Sequence, residues 1–305
     1  MCCYCLTDTL SDLKFINALV QERLGDTDEC IRYLDEAIKV HEDETRGLPL
    51  SINFYTKFNA PLLLEIASEY LVFSPQEPVN PSDPPSVSLQ KATSILEKIV
   101  RYIPASLSSK YLFAKTRYLS REYEPALSIV NSCLKVDQKF VEAHLLSAEI
   151  YYSQENYVEA SNALERAMSS NFLIRDWPSY HILRARVSAA TGDARSAIEV
   201  LQKALKVTDA GRQKATVQET VAMYLELASI YTKINQEIEA SKIIEEALEK
   251  FKNDPENKEL VIIASARLNS SKNEIDSALG ILSTIPPTSR NFMRAKAEMA
   301  NIYLN

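Results

Sequence analysis

Alanine-sized residues recur in this chain at a spacing near thirty-four, and that interval constrains the fold more than any other feature. Ala148, Tyr151, Ala160, Leu164 and Ala167 have counterparts thirty-four residues earlier in Ala114, Arg117, Ala126, Val130 and Cys133. With Ala148 as the eighth position of a unit, the set marks positions eight, eleven, twenty, twenty-four and twenty-seven. Small side chains at eight and twenty let the two helices of one hairpin approach closely. A small residue at twenty-seven does the same between that hairpin and the next. A unit of this kind cannot bury its apolar face alone, so stability has to come from stacking neighbours.

The same slots recur along the chain. Ala18, Cys30, Leu34 and Ala37 come first, then Ala67, Tyr70, Ala92, Leu96 and Ile99. After the two units already given come Ala185, Ala197, Leu201 and Ala204, with Gly192-Asp193 at the turn between helices. Ala228, Tyr231, Ala240, Ile244 and Ala247 form a sixth copy, Ala266, Ala278, Leu282 and Ile285 a weaker seventh, and Ala300 and Tyr303 open an eighth. This is the tetratricopeptide pattern. The expected fold is all-α, a right-handed superhelical solenoid of helix–turn–helix repeats, read as one array over 1–305. Met293 to Leu304 reads as a first helix without a partner. Its apolar face (Met299, Ile302, Tyr303) is expected to be open, as in a piece cut from a longer array.

The period stretches in three places. Around 40–58 the acidic run Glu42-Asp43-Glu44 leads into Gly47-Leu48-Pro49-Leu50, Ile52, Phe54, Tyr55 and Phe58. That segment is too apolar for a free linker and is expected to fold back on the helices beside it. Within the second unit, 72–88 carries Pro75, Pro78, Pro81, Pro84 and Pro85, which no helix tolerates. It reads as an extended connector in preference to a PxxP ligand. A third excess, 207–220, holds Arg212 and Lys214 and reads as a solvated turn.

Composition narrows the function. Only 5 glycines are present, too scattered for a phosphate loop. A net charge of −7 argues against nucleic-acid binding, and no apolar run approaches the ~20 residues a membrane span needs. No basic n-region followed by an apolar run opens the chain, which points to the cytosol or a compartment continuous with it. Cys30 and Cys133 occupy packing slots. Cys2, Cys3 and Cys5 lack a second Cys or His pair at zinc spacing, so no metal and no cofactor are expected. His41, His144 and His181 read as packing residues, Glu245-Glu246 as a solvated face, and Trp177 as an anchor at a repeat junction. Nothing assembles a nucleophile, its base and an orienting group, so the chain is not expected to be an enzyme.

What remains is a surface. In this repeat, positions two, five, six, nine and twelve of the first helix face the groove, here Tyr111, Leu112 and Lys115, then Leu145, Leu146 and Glu149, then Leu225, Glu226 and Ser229. Paired Lys and Asn donors for a C-terminal carboxylate are missing, and Glu149 or Glu226 would repel one. The groove reads as mixed apolar and acidic, fit for a helix or a folded neighbour. Tyr111, Leu145, Tyr152 and Tyr224 are candidate anchors, with Lys115 and Glu149 beside them. Packing within the array is the competing reading for each.

The segments that break the period resemble one family. Gly47-Leu48-Pro49-Leu50, Lys57-Phe58-Asn59, Leu62-Leu63-Leu64-Glu65-Ile66 and Glu69-Tyr70-Leu71 with Phe73 and Pro75 carry the likeness. So do Ala143-His144-Leu145-Leu146 with Ser153-Gln154-Glu155, Asn171-Phe172 with Arg175-Asp176, Pro178 and Tyr180-His181, and the run Lys296 to Leu304. Over most of 45–305 the chain is similar to the large tetratricopeptide subunit of intraflagellar transport complex A, the tetratricopeptide repeat protein 21 family. That resemblance implies a non-catalytic scaffold supporting retrograde ciliary transport and ciliary entry of membrane cargo. It implies as partners the WD-repeat-plus-helical subunits of the same complex and, indirectly, dynein-driven trains, with no nucleic acid and no direct membrane insertion. The implied location is the cilium or flagellum and its base, the cytoplasm and the cytoskeleton. The alternative function is a general tetratricopeptide adaptor that takes short peptides or chaperones in its concave groove.

Overall fold

The computed structural model describes residues 10–79, 84–209, 215–289 and 291–304. Among these there is no β-strand; the chain is all-α. It forms two compact units, Met1–Gln138 and Lys139–Asn305. Cys2, Cys3 and Cys5, and Arg212 and Lys214, lie outside the described residues.

The first unit comprises α1 (Leu10–Leu24), α2 (Thr27–Thr45), α3 (Ile52–Lys57), α4 (Ala60–Val72), α5 (Val87–Tyr102), α6 (Leu107–Leu119) and α7 (Tyr123–Val136). Hairpins α1–α2, α4–α5 and α6–α7 pack in sequence, with α5 against α6. The second unit runs α8 (Val141–Ser153), α9 (Tyr157–Ser170), a 3₁₀ turn at Phe172–Asp176, α10 (Pro178–Ala190), α11 (Ala194–Asp209), α12 (Val217–Lys233), α13 (Glu237–Lys250), α14 (Pro255–Ser271), α15 (Ile275–Leu282) and α16 (Phe292–Leu304). There α12 packs on both α10 and α11, and α14 on both α12 and α13, so each of these first helices lies against both helices of the preceding hairpin.

The small-residue slots are where the helices meet. From the first unit to the sixth, every residue read at position eight, twenty or twenty-seven is buried. In α16 the eighth-position Ala300 is exposed, because no second helix lies against it among the described residues.

Six of the turns inside hairpins share one construction. Gly25, Arg121, Glu155, Gly192, Asn235 and Asn273, all at position fifteen, adopt positive φ between 57° and 92°. The next backbone N–H then reaches five residues back, as in Asn156 to the Tyr151 carbonyl and Asp193 to the Ser188 carbonyl, both 2.9 Å. This Schellman closure satisfies the orphan carbonyls at the end of each first helix. The second hairpin departs from it because Pro75 occupies position sixteen and has no N–H to donate. Ser74 substitutes: its buried hydroxyl donates to the Tyr70 carbonyl at 2.8 Å.

Two of the three off-period segments are tied down. In 72–88, residues 80–83, Pro81 among them, lie outside the described residues, and the segment leaving α4 is pinned at Val79 rather than free. The Val79 amide donates to the Leu119 carbonyl at 3.0 Å, and Arg121 donates to the Val79 carbonyl at 3.3 Å. In 40–58, α2 continues through Thr45, and α3 turns Phe54 and Phe58 inward against Tyr102, with ring centroids 5.0 and 5.1 Å apart. His41 Nε2 lies 2.8 Å from the Phe58 carbonyl, joining the insertion to α2. In 207–220, α11 extends to Asp209 and α12 starts at Val217, so helix reaches into both ends of the segment; residues 210–214 lie outside the described residues.

The final helix corrects the reading of an open apolar face. Ile302 is buried and Met299 packs beside it against the core of α14 and α15. Tyr303, Leu304 and Met293 are the exposed apolar residues there. The reason is register: Ala295 and Ile302 sit seven apart on the side of α16 that meets the preceding hairpin.

Second helices of the first unit are also joined by charge. On α2, Asp35 and Glu42 lie seven residues apart, and on α5 so do Lys91 and Lys98. Lys91 Nζ sits 2.6 Å from Asp35, and Lys98 pairs with Glu42. The buried Tyr70 donates its hydroxyl to Asp35 at 2.6 Å. These pairs are half-exposed, worth roughly 0–1 kcal/mol each, and fix the register more than the stability.

Candidate functional site

The first helices carry the candidate residues, and the two units are considered separately. In the first, Tyr111 and Lys115 stand one turn apart on α6, both half-buried. Beside them Arg117 pairs with Glu122 at 2.7 Å and lays its guanidinium over the Phe113 ring at 4.9 Å.

In the second unit the candidates divide. Glu149 and Tyr152 on α8 are half-buried, and Tyr152 packs against Tyr157 with centroids 5.8 Å apart. Leu145 is buried in the core formed by α8, α9 and α10, beside Ala148, Leu164 and Leu183, so it is a packing residue. Tyr224 is likewise not an anchor. It is 2 % exposed within the core of α10–α14, and its hydroxyl donates to Glu246 at 3.0 Å with Lys250 over the ring. Its register explains this: Tyr224 is the fourth position of its unit, one residue short of the groove-facing fifth. Glu246, read as part of a solvated face, accepts that hydroxyl's hydrogen bond.

The groove face holds a charge pattern that the sequence reading missed. Arg186 on α10 pairs with Glu226 on α12 at 2.7 Å, and the Glu226 side chain is only 12 % exposed. Arg267 on α14 pairs with Glu298 on α16 at the same distance. Each is an arginine at position nine reaching a glutamate at position six of the next first helix. Glu226 is therefore a neutralised partner of a bridge, not a free repulsive charge. The signal was present in the sequence as opposite charges at a fixed register. Seeing it required knowing that consecutive first helices are neighbours.

Cys30 and Cys133 are buried free thiols. Burial, reinforced by Glu69 and Glu22, pushes Cys30 up to about 11, and burial likewise raises Cys133, so neither is a thiolate near neutral pH. Among the described residues no group of three or more His, Cys, Asp or Glu side chains could hold a metal ion. None of the described helices is long and apolar enough to cross a membrane. His41 and His181 each give a ring nitrogen to a backbone carbonyl contact, Phe58 and Arg175 respectively. Trp177 caps α10 and packs against the core containing Tyr180 and Ile174.

Helical hairpins meeting at alanine-sized slots, with first helices forming a paired-charge face, define a tetratricopeptide-type helical-repeat protein. Solved structures agree at the level of fold. A tetratricopeptide repeat protein from Parabacteroides merdae superposes with a TM-score of 0.64 over 97% of this chain and 99% of its own, at 14% identity. Yeast Tom70 does so with a TM-score of 0.56 over 100% of this chain and 66% of its own, also at 14% identity. Two family models divide the sequence. "Tetratricopeptide repeat protein 21 second ARM domain" matches residues 7–155, and "Tetratricopeptide repeat protein 21 ARM repeat" matches residues 172–305. The chain belongs to the tetratricopeptide repeat protein 21 family. It is 37% identical to mouse tetratricopeptide repeat protein 21A and 35% identical to Xenopus laevis tetratricopeptide repeat protein 21B, over 96% of its length in each case. A Caenorhabditis elegans homologue is 24% identical over 90% of the chain. The chain spans 23% of the length of the vertebrate relatives.

Proposed function

We propose that this chain is a non-catalytic scaffold segment of intraflagellar transport complex A. It supports retrograde ciliary transport and ciliary entry of membrane cargo by docking other proteins along its helical surface. The observation that carries this reading is family membership along nearly the whole chain, over residues 7–155 and 172–305. The repeat fold is consistent with it, since stacked hairpins give long surfaces. The partners are the WD-repeat-plus-helical subunits of the same complex, with dynein-driven trains reached indirectly. The place of action is the cilium or flagellum, its base and the adjoining cytoskeleton-associated cytoplasm.

The test is affinity purification of the tagged chain from ciliated cells, with imaging of its position. Co-purification of the WD-repeat subunits and accumulation at the ciliary base are expected. Recovery of chaperones without transport subunits, together with binding of chaperone C-terminal peptides to the purified chain, would overturn the scaffold reading in favour of a peptide adaptor.

A further inference from the structure

Three first helices place a glutamate at the groove-facing position six: Glu65 on α4, Glu226 on α12 and Glu298 on α16. In the second unit that slot is answered from the first helix before it. Arg186 and Arg267, each at position nine, hold Glu226 and Glu298 at 2.7 Å. Both glutamate side chains are only 12 % exposed, so each is a covered and neutralised charge.

Glu65 holds the same slot in the first unit without that answer. Position nine of α1 is Leu19, which has no charge to give, and Glu65 is exposed. Two more carboxylates stand with it: Glu69, one turn further along α4, and Glu22, at position twelve of α1. The Glu69 side chain is half-buried, and its Oε2 is fully buried without a hydrogen-bond partner. Burial first, then Glu22 and Glu65, raises the Glu69 carboxyl above its ordinary value, and no cation is among the groups that act on it. A carboxylate taken out of water is costly unless a donor or a positive charge reaches it. The slot that meets an arginine at two junctions here gathers three acids beside a leucine.

We propose that the α1–α4 stretch of the groove binds an arginine side chain of a partner protein, whose guanidinium takes the place that Arg186 and Arg267 fill at the other two junctions. Glu65 makes the exposed contact, and Glu22 and Glu69 supply the negative field behind it. Arginine suits the site better than lysine, because its planar fork can meet one carboxylate with two N–H groups and still turn others toward a second. Its aliphatic stem lies along Leu19 and along Ile16, which is 53 % exposed one turn earlier on α1. Charge chooses the occupant, since a carboxylate-bearing ligand would meet three like charges. The inference concerns the chemistry of the partner and stands whether or not the chain serves ciliary transport.

The probe is N-acetyl-arginine amide, titrated into the chain while the carboxyl carbons of its glutamates are followed by NMR. Saturable shifts are expected at Glu22, Glu65 and Glu69, with smaller ones at Glu226 and Glu298, whose slots are filled. E65Q should weaken the half-saturation read at Glu22 and Glu69 at least ~5-fold, the worth of one exposed charge contact. L19R brings the missing arginine into the chain itself and should abolish the saturable response. The melting-temperature change caused by L19R should also be about 1–3 °C more favourable with Glu65 present than in the E65Q background, a difference in which any packing lost with Leu19 cancels. Equal shifts at all five glutamates would mean general screening and would overturn the proposal. So would no response, or a response in L19R as strong as in wild type. Equally tight binding of N-acetyl-lysine amide would overturn the assignment to arginine. No ciliary partner enters the experiment, so its failure leaves the transport reading untouched.

Discussion

His181 shows how a single packing position acquires a pH dependence. Its Nε2 lies 2.7 Å from the Arg175 carbonyl, which requires that nitrogen to carry the proton. The other ring nitrogen, Nδ1, is buried without a partner. Protonating it would bury a charge with no acceptor, and this burial, helped by nearby Arg184, holds the imidazole below its usual value of 6.5. A folded-state pKa below the unfolded one means that the folded state binds fewer protons. The stability involved is present above about pH 6.5 and is lost as pH falls toward the folded value. His181→Gln keeps a donor for the Arg175 carbonyl and cannot titrate. Thermal melts should show wild type losing stability between pH 7.5 and 5.5, the variant losing less, and the two within about 1 kcal/mol at pH 7.5. Parallel losses would contradict this role. The sequence placed His181 correctly as a packing residue at position four. The same register argument, applied to Tyr224, would have removed it from the anchors, since it too occupies position four.

At the scale of elements, the turn at position fifteen decides how each hairpin closes. Nothing lies within 4 Å of a methyl built onto Gly192, whose φ is 92°. Gly192→Ala therefore touches no neighbour, yet should destabilise by about 1 kcal/mol through the left-handed backbone alone, as chemical denaturation can measure. No loss would mean that the turn relaxes to another geometry. Gly25 and Gly192 carry the glycine signature of this turn, though only Gly192 was read as one; the Arg, Glu and Asn residues that share the conformation hide it. The helix pairs themselves were legible because Ala at positions eight and twenty is a volume requirement that few side chains meet. The Pro-rich connector was legible as non-helical but not as pinned, because Val79 is held through backbone groups that carry no side-chain signature. The inward turn of Phe54 and Phe58 could be anticipated from their apolar character. Their partner Tyr102 could not, being some fifty residues away.

For the whole molecule, stability comes from neighbour-to-neighbour stacking rather than from one central core. The slots argue this, and the groove follows from it: first helices become neighbours only because the small residues let hairpins nest. That is also why Arg186–Glu226 and Arg267–Glu298 repeat at one register, and why the groove's charge balance escaped a reading of single helices. The middle and the last member of the same slot series give an internal comparison. Ala148 is fully buried, whereas Ala300, at the same position of α16, is exposed. The unfolding free energies of Ala148→Leu and Ala300→Leu test the claim most directly. Overpacking at Ala148 should cost roughly 1–3 kcal/mol, while Ala300→Leu should stay within about 0.5 kcal/mol of wild type. Equal effects at both sites, or a tolerated leucine at Ala148, would contradict the idea that these small contacts hold the hairpins together.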